Sequence, residues 1–167
     1  MEMNYCMQCG TKLVFRQHSE EGLVPYCDKC GEYRYPVFNS AVSMIVTNRS
    51  RDKILLIQQY SRPFFVLTAG YVNKGEEAEH AAAREIQEEL GMTVETLSFN
   101  HSHYFAPSNT LMLNFTATVL EEEAHPNWEV DLWQWFTVEE AVKNIKPHSL
   151  AEAFLNGYLT GKYHFPA

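Results

Sequence analysis

The sequence predicts an α+β domain whose sheets are covered by helices, preceded by a small segment folded around a metal ion. Two observations carry that prediction. Short apolar runs of strand character mix with helical repeats, without the βαβ rhythm of a wholly parallel sheet. Four cysteines fall as Cys6-x2-Cys9, then seventeen residues, then Cys27-x2-Cys30, with none left over. That is the spacing of a tetrahedral four-thiolate zinc site.

Residues 1–36 are the expected zinc ribbon. Their apolar content is confined largely to Leu13, Val14, Phe15, Leu23 and Val24, too little for a core without metal. Glycine follows each cysteine pair, in CMQCG and CDKCG, so the backbone can turn tightly and aim amide groups at the thiolates. Four protein ligands leave no open position for a substrate, which makes the Zn2+ structural. Two disulfides are the alternative, one that a reducing cytoplasm disfavours.

The elements of residues 37–167 follow in order. Ala41–Val46 and Ile54–Ile57 read as buried strands separated by the polar turn TNRSRDK, and Phe64–Thr68 as a third strand. Ala78, Ala82, Ile86 and Leu90 recur every four residues, and Gly91 stands where a C-terminal cap belongs, so a helix is expected over Glu77–Leu90. Strands follow at Thr93–Tyr104, Leu111–Leu120 and Trp133–Phe136. Thr137-x-x-Glu140 and Ser149-x-x-Glu152 are capping-box patterns opening two closing helices. His101 and His103 share one side of their strand, where a solvent or pocket position is expected.

Thirteen Lys and Arg against twenty-one Asp and Glu leave a net charge of −8 in 167 residues. That balance disfavours long nucleic acid and anionic membranes as partners and suits a chemistry of bound cations. No run of eighteen apolar residues exists, so no membrane helix is expected. MEMNYC has neither a basic nor an apolar leader region, and a cytoplasmic location is expected.

The helix raises a physical question. With Glu85 at zero on a helical wheel, Glu88 lies near about 300° and Glu89 near about 40°. Three carboxylates therefore share a face that is expected to be accessible, while Ile86, Leu90 and Ala83 turn inward. Like charges at such spacings destabilise a helix, and Arg84 alone cannot balance them. Hard divalent cations, Mg2+ or Mn2+, take oxygen ligands and bridge carboxylates to phosphates. A solvated acidic face is the competing reading. Gly70 and Gly75 precede the helix, where backbone carbonyls can approach a metal.

Gly70, five residues, Glu76, seven residues, then Arg84-Glu85-Ile86-Gln87-Glu88-Glu89-Leu90-Gly91-Met92 resembles a complete Nudix box, GX5EX7REUXEEXGU with U aliphatic. The resemblance implies the α/β/α sandwich of the Nudix hydrolase family over residues 37–167. It also implies metal-dependent cleavage of a pyrophosphate bond in a nucleoside diphosphate linked to another group. A ribbon before such a domain is similar to the bacterial NADH pyrophosphatase group. Tyr35-Pro36 keeps part of that group's linker, although Val37 and Asn39 replace its arginine and proline. Ser102, Phe105 and the pair Leu111-Met112 keep part of its downstream motif, whose prolines are mostly absent here.

The resemblance assigns Glu85, Glu88, Glu89 and the Gly70 carbonyl to the catalytic metal, with Glu85 or Glu89 as base. Arg84 orients Glu85, and Glu76 positions helix and loop. Glu129 is the candidate carboxylate from outside the helix, with Glu121–Glu123 as a rival. Phe105 and Tyr104 are candidates to stack on a nucleobase. A small-molecule nucleotide substrate (NADH, NAD or an ADP-ribose-like dinucleotide) and a homodimer are implied. A triphosphate-sanitising or RNA-end decapping enzyme, and a non-catalytic nucleic-acid-binding ribbon module, are the other classes.

Overall fold

The computed structural model describes residues 3–166. The outermost residues of both expected segments lie outside that range. The described residues form two compact units that divide between Phe38 and Asn39.

In the first unit β1 (Val14–His18), β2 (Gly22–Cys27) and β3 (Glu32–Tyr33) form an antiparallel sheet in the order β1-β2-β3. Val24, Cys6 and Cys27 are buried, whereas Phe15 and Leu23 stay exposed. So thin a core cannot offset the entropy of ordering the segment, and the four clustered thiols could hold a metal ion that supplies the missing constraint. Gly10 and Gly31 both adopt φ of 72°, and their amides donate to the Cys6 and Cys27 carbonyls at 2.8 Å, closing the two knuckles. The Cys30 amide donates to Cys27 Sγ at 3.4 Å.

One sulfur from each cysteine lies within 4.8 Å of all the others, and all four are free thiols. Cys9 Sγ to Cys27 Sγ is 3.5 Å and Cys6 Sγ to Cys30 Sγ is 3.9 Å. A disulfide needs roughly 2.05 Å. Four thiolates about 2.3 Å from one central ion stand about 3.8 Å apart, which these distances match. Four such thiols cannot all ionise without a cation. Arg34 donates to Cys6 and draws it down to about 6, while hydrogen bonding with Cys9 pushes Cys30 up to about 12.

The second unit is built on β4 (Asn39–Thr47), β5 (Lys53–Gln59), β6 (Thr68–Tyr71), β7 (Val94–Phe105), β8 (Thr110–Val119) and β9 (Val130–Thr137). Its sheet runs β7-β8-β4-β5-β9, with β6 also paired to β4. One edge of β4 pairs parallel to β8 along its whole length. The other edge is shared: Ala41–Met44 pair with β6, and Val46–Thr47 with β5. Helix α1 (Ala78–Leu90) lies on one face, while α2 (Val138–Asn144) and α3 (Leu150–Thr160) belong to the other.

Two apolar layers explain why β4 and β5 lack alternation in sequence. Val42, Met44, Val46, Leu55 and Ile57 join the α1 layer with Ile86, Leu90 and Phe115. Ile45, Ile54 and Leu56 join the other layer with Phe136, Phe154 and Leu155. Each fully buried Leu or Ile contributes roughly 1.5–3 kcal/mol, so both faces fix the strands.

The helix over Glu77–Leu90 is found as expected, with Glu77 as N-cap and Gly91 at φ 66°. The third strand is displaced. Val66 and Phe65 make only isolated bridges, to Ile57 and Ile145, and the paired strand is Thr68–Tyr71. Phe65 is apolar because its ring packs edge-on against Phe136, at 5.0 Å, rather than because it belongs to a ladder. Thr137 and Glu140 complete a full capping box. Ser149 caps α3, but the Glu152 carboxylate accepts from the His148 amide instead of the cap residue. His101 and His103 are partly exposed. They stack on Tyr163 and Phe165 at 4.1 and 3.8 Å.

Candidate active site and metal centre

Packing of Ala82, Ile86 and Leu90 fixes the rotation of α1. Ala81, rather than Ala83, completes this buried face. The same rotation carries Glu89 inward, to 4% exposure, while the Glu88 side chain remains 56% exposed and Glu85 lies between these extremes. The expectation of three equivalent carboxylates on an accessible face is therefore corrected: the cluster runs from solvent into the core.

Gly70 of β6 sits against this cluster. A Cβ built there would overlap the Glu85 carboxylate, so only glycine lets the strand and that side chain come together. Arg84 holds the outer part. Its Nε and one terminal nitrogen donate to Glu76 at 2.7 and 3.0 Å. The other terminal nitrogen donates to Glu85 at 2.7 Å and to Glu88 at 2.9 Å. The Tyr71 carbonyl accepts at 3.0 Å. Arg84 and, secondarily, the Asn73 amide hold Glu76 down to about 2.

Glu89 lies outside that network. Gln59, at the end of β5, donates to its Oε1 at 3.0 Å, but its Oε2 is buried without a hydrogen-bond partner. Burial pushes this carboxyl up to about 8, and the charges of Glu85, Glu129 and Glu88 push the same way, against the Gln59 bond. Glu129, just before β9, thus belongs to the same electrostatic group. Its carboxylate accepts from the Tyr60 hydroxyl, which that bond pushes up to about 12. Of the rival run, Glu121 accepts from the Thr93 amide and Glu122 from Lys53 and Asn48, so both are occupied in structural contacts.

An orphaned carboxylate oxygen, a glycine cradle and an all-oxygen donor set together fit a hard divalent cation. Glu85, Glu88 and Glu129 lie near enough to Glu89 for their charges to act on it, although among the described residues only the four cysteines place three or more ligand atoms within 4.8 Å of one another. Gln59 and Tyr60 were missed by sequence reasoning. They carry no motif, and their only signal is a polar pair ending a buried apolar run.

The two aromatic candidates diverge. Phe105 pairs with Thr110 and Tyr104 with Leu111, so strand alternation puts them on opposite faces. Thr110 lines a cavity of about 200 Å3 with Gly70, Tyr71, Ala41, Ala69 and Met112. Phe105 therefore stands on the cavity side. The Tyr104 hydroxyl donates to Asn109 at 2.7 Å.

The buried carboxyl has a consequence for stability. Between about pH 4.5 and about 8 the metal-free folded chain keeps a proton on Glu89 that the unfolded chain has lost. Stability should fall as pH rises through that window, by on the order of a few kcal/mol, and level off above it. Thermal melts of metal-free Glu89→Gln should show a flatter slope over the same range. A slope identical to that of the wild type would contradict the buried, protonated state.

Comparison with known proteins agrees with the fold and the box. The chain is 28% identical to the NAD-capped RNA hydrolase NudC of Pseudomonas aeruginosa over 158 residues, covering 93% of this chain and 55% of that protein. It is 32% identical to the NAD-capped RNA hydrolase NudC of Haemophilus influenzae over 155 residues, covering 86% and 54%. It thus spans about half the length of these curated relatives. A NUDIX hydrolase from Nitrosomonas europaea superimposes with a TM-score of 0.65 at 22% identity, covering 98% of this chain and 96% of the other. The family description "NUDIX domain" matches residues 37–155. With that span matched and the glutamate helix, Gly70 and the two-faced sheet in place, the chain belongs to the Nudix hydrolase family.

Proposed function

We propose that this chain hydrolyses the pyrophosphate bond of nucleoside diphosphate-linked compounds, of the NADH, NAD or ADP-ribose type. The observation that carries the reading is Glu89, a buried carboxyl with an unpartnered oxygen, within reach of the charges of Glu85, Glu129 and Glu88. Those four side chains, with the Gly70 carbonyl, would hold Mg2+ or Mn2+. When bound, the ion neutralises phosphoryl oxygens and lowers the pKa of bound water. Glu85 or Glu89 accepts the proton of the attacking water. Arg84 orients Glu85 and has no donor to spare for substrate, since Glu76, Glu85, Glu88 and Tyr71 occupy it. Phe105, the cross-strand partner of the cavity-lining Thr110, is the aromatic ring from which a nucleobase contact would come.

The two bacterial relatives are NAD-capped RNA hydrolases, which favours a second reading, cleavage at a nucleotide-capped RNA end. A purely nucleic-acid-binding ribbon module gains nothing from a buried, repelled carboxyl. The family resemblance adds a homodimer and the four free cysteines a cytoplasmic location, which light scattering and cell fractionation check. Among the described residues no helix is long and apolar enough to cross a membrane.

A panel of NADH, NAD, ADP-ribose, nucleoside triphosphates and capped RNA, with Mg2+ or Mn2+, tests the reading by its products. Dinucleotide cleavage is expected, and Glu89→Gln should lower turnover by orders of magnitude, because it removes a ligand that acts in the transition state. Glu76→Gln should cost less, since Glu76 acts only through Arg84. Equal rates for wild type and Glu89→Gln would overturn the reading of the carboxylates as a metal platform.

We assign Zn2+ to Cys6, Cys9, Cys27 and Cys30 on the sulfur spacing. Elemental analysis should find about one zinc per chain, the content of a four-thiolate structural site, and Cys27→Ser should unfold the first unit. Zinc-free protein with all four thiols oxidised would overturn the assignment.

A further inference from the structure

Beside the carboxylates lies a second cavity of about 120 Å3, lined by Gln59, Tyr60, Arg62, Phe64, Val66 and Lys146. Two of its walls are the residues that hold the site: Gln59 donates to Glu89, and Tyr60 to Glu129. Its charge is opposite to that of its surroundings. The chain carries −8 and the neighbouring cluster is acidic, yet this cavity presents a guanidinium, an ammonium and no carboxylate. Among the described residues, neither Arg62 nor Lys146 forms an ion pair. The Lys146 ammonium rests 4.4 Å from the centre of the Phe64 ring.

The backbone delivers these cations by design of the turn. Tyr60 and Ser61 adopt φ of 54° and 57°, a left-handed pair unusual for residues with side chains. Asp131 accepts from the Ser61 amide at 2.6 Å, and the Arg62 amide donates to the Gln59 carbonyl at 3.1 Å. On the far wall the Lys146 amide donates to the Phe65 carbonyl at 2.8 Å. Tyr60 and Ser61 are thus the central pair of a type I′ turn, which sets Arg62 at the cavity rim.

We propose that this cavity is an anion subsite that takes a ribose phosphate of the substrate, outside the scissile pyrophosphate. A guanidinium offers a planar fork to phosphate oxygens and an ammonium a compact charge, and the two are complementary. The volume falls below the roughly 300 Å3 at which pockets begin to engulf drug-sized ligands, so it suits a phosphate group and excludes a whole nucleoside. The subsite rests on the nucleotide reading above, and binding measured without turnover separates the two. The phosphate has two chemical sources. A 2′-phosphate belongs to a phosphorylated dinucleotide, and a 3′-phosphate to the point where an RNA chain continues.

Calorimetry on the metal-free full chain, with AMP, adenosine 2′,5′-bisphosphate and adenosine 3′,5′-bisphosphate, tests this. At least one bisphosphate should bind about tenfold more tightly than AMP, the scale of one charge-assisted hydrogen bond. The isomer that gains identifies the source. Arg62→Ala and Lys146→Ala should each remove most of the gain, and Arg62→Lys should retain part of it. Arg62 is exposed, so its variants should fold even where a Lys146 variant does not. A bisphosphate gain in a protein that cleaves no pyrophosphate keeps the subsite and overturns the hydrolase reading. Absence of any gain over AMP, or a gain that survives Arg62→Ala, overturns the subsite.

Discussion

One guanidinium faces too many carboxylates, and the active-site half of the second unit is arranged around that imbalance. Arg84 spends its donors on Glu76, Glu85, Glu88 and the Tyr71 carbonyl. Glu89 lies one helical turn beyond Glu85, in the core, where Arg84 does not reach it. An isolated charge in such a place costs far more than its neighbours can return, so the group must hold a proton or share a cation. Gln59 satisfies one of its oxygens and leaves the other open. Gly70 removes the side chain that would otherwise displace Glu85. Tyr60 fixes Glu129 at the opposite side.

The scaffold supplies the rigidity this requires. Helix α1 cannot rotate to release Glu89 without exposing Ile86 and Leu90, which pack against β4, β5 and β8. The shared edge of β4 matters as much. Because β6 takes one half and β5 the other, Gly70 and Gln59 arrive from different strands at the same helix. Gly91 closes α1 with a left-handed cap, and a Cβ there would press on His125 at 3.0 Å. Core packing thus sets the position of a charge that packing alone would reject.

Much of this was legible in the sequence, for identifiable reasons. The fourfold spacing of Ala78, Ala82, Ile86 and Leu90 defined the helix, and the fixed spacing of the box named its carboxylates. The cysteine pairs defined the ribbon. What escaped depends on depth and on non-local contact. A wheel sorts residues by angle, so it could not tell that Glu89 is buried and Glu88 is not. Phe64–Thr68 looked like a strand because its apolar residues pack, while the real ladder contains Gly70, which strand propensity penalises. Gln59 and Tyr60 meet Glu89 and Glu129 across separations of 30 and 69 residues, and no local pattern encodes such a meeting.

The central claim is that the crowded carboxylates are kept for a divalent ion, and Mn2+ binding tests it without any substrate. Free Mn2+ can be followed by electron paramagnetic resonance during titration of wild type and Glu89→Gln, with matched thermal melts. The account predicts saturable binding to the wild type that raises its melting temperature, and affinity about tenfold or more weaker in the variant, the scale of losing one charged ligand. Identical Mn2+ affinity in the two proteins, or no binding to the wild type at millimolar concentration, would contradict it.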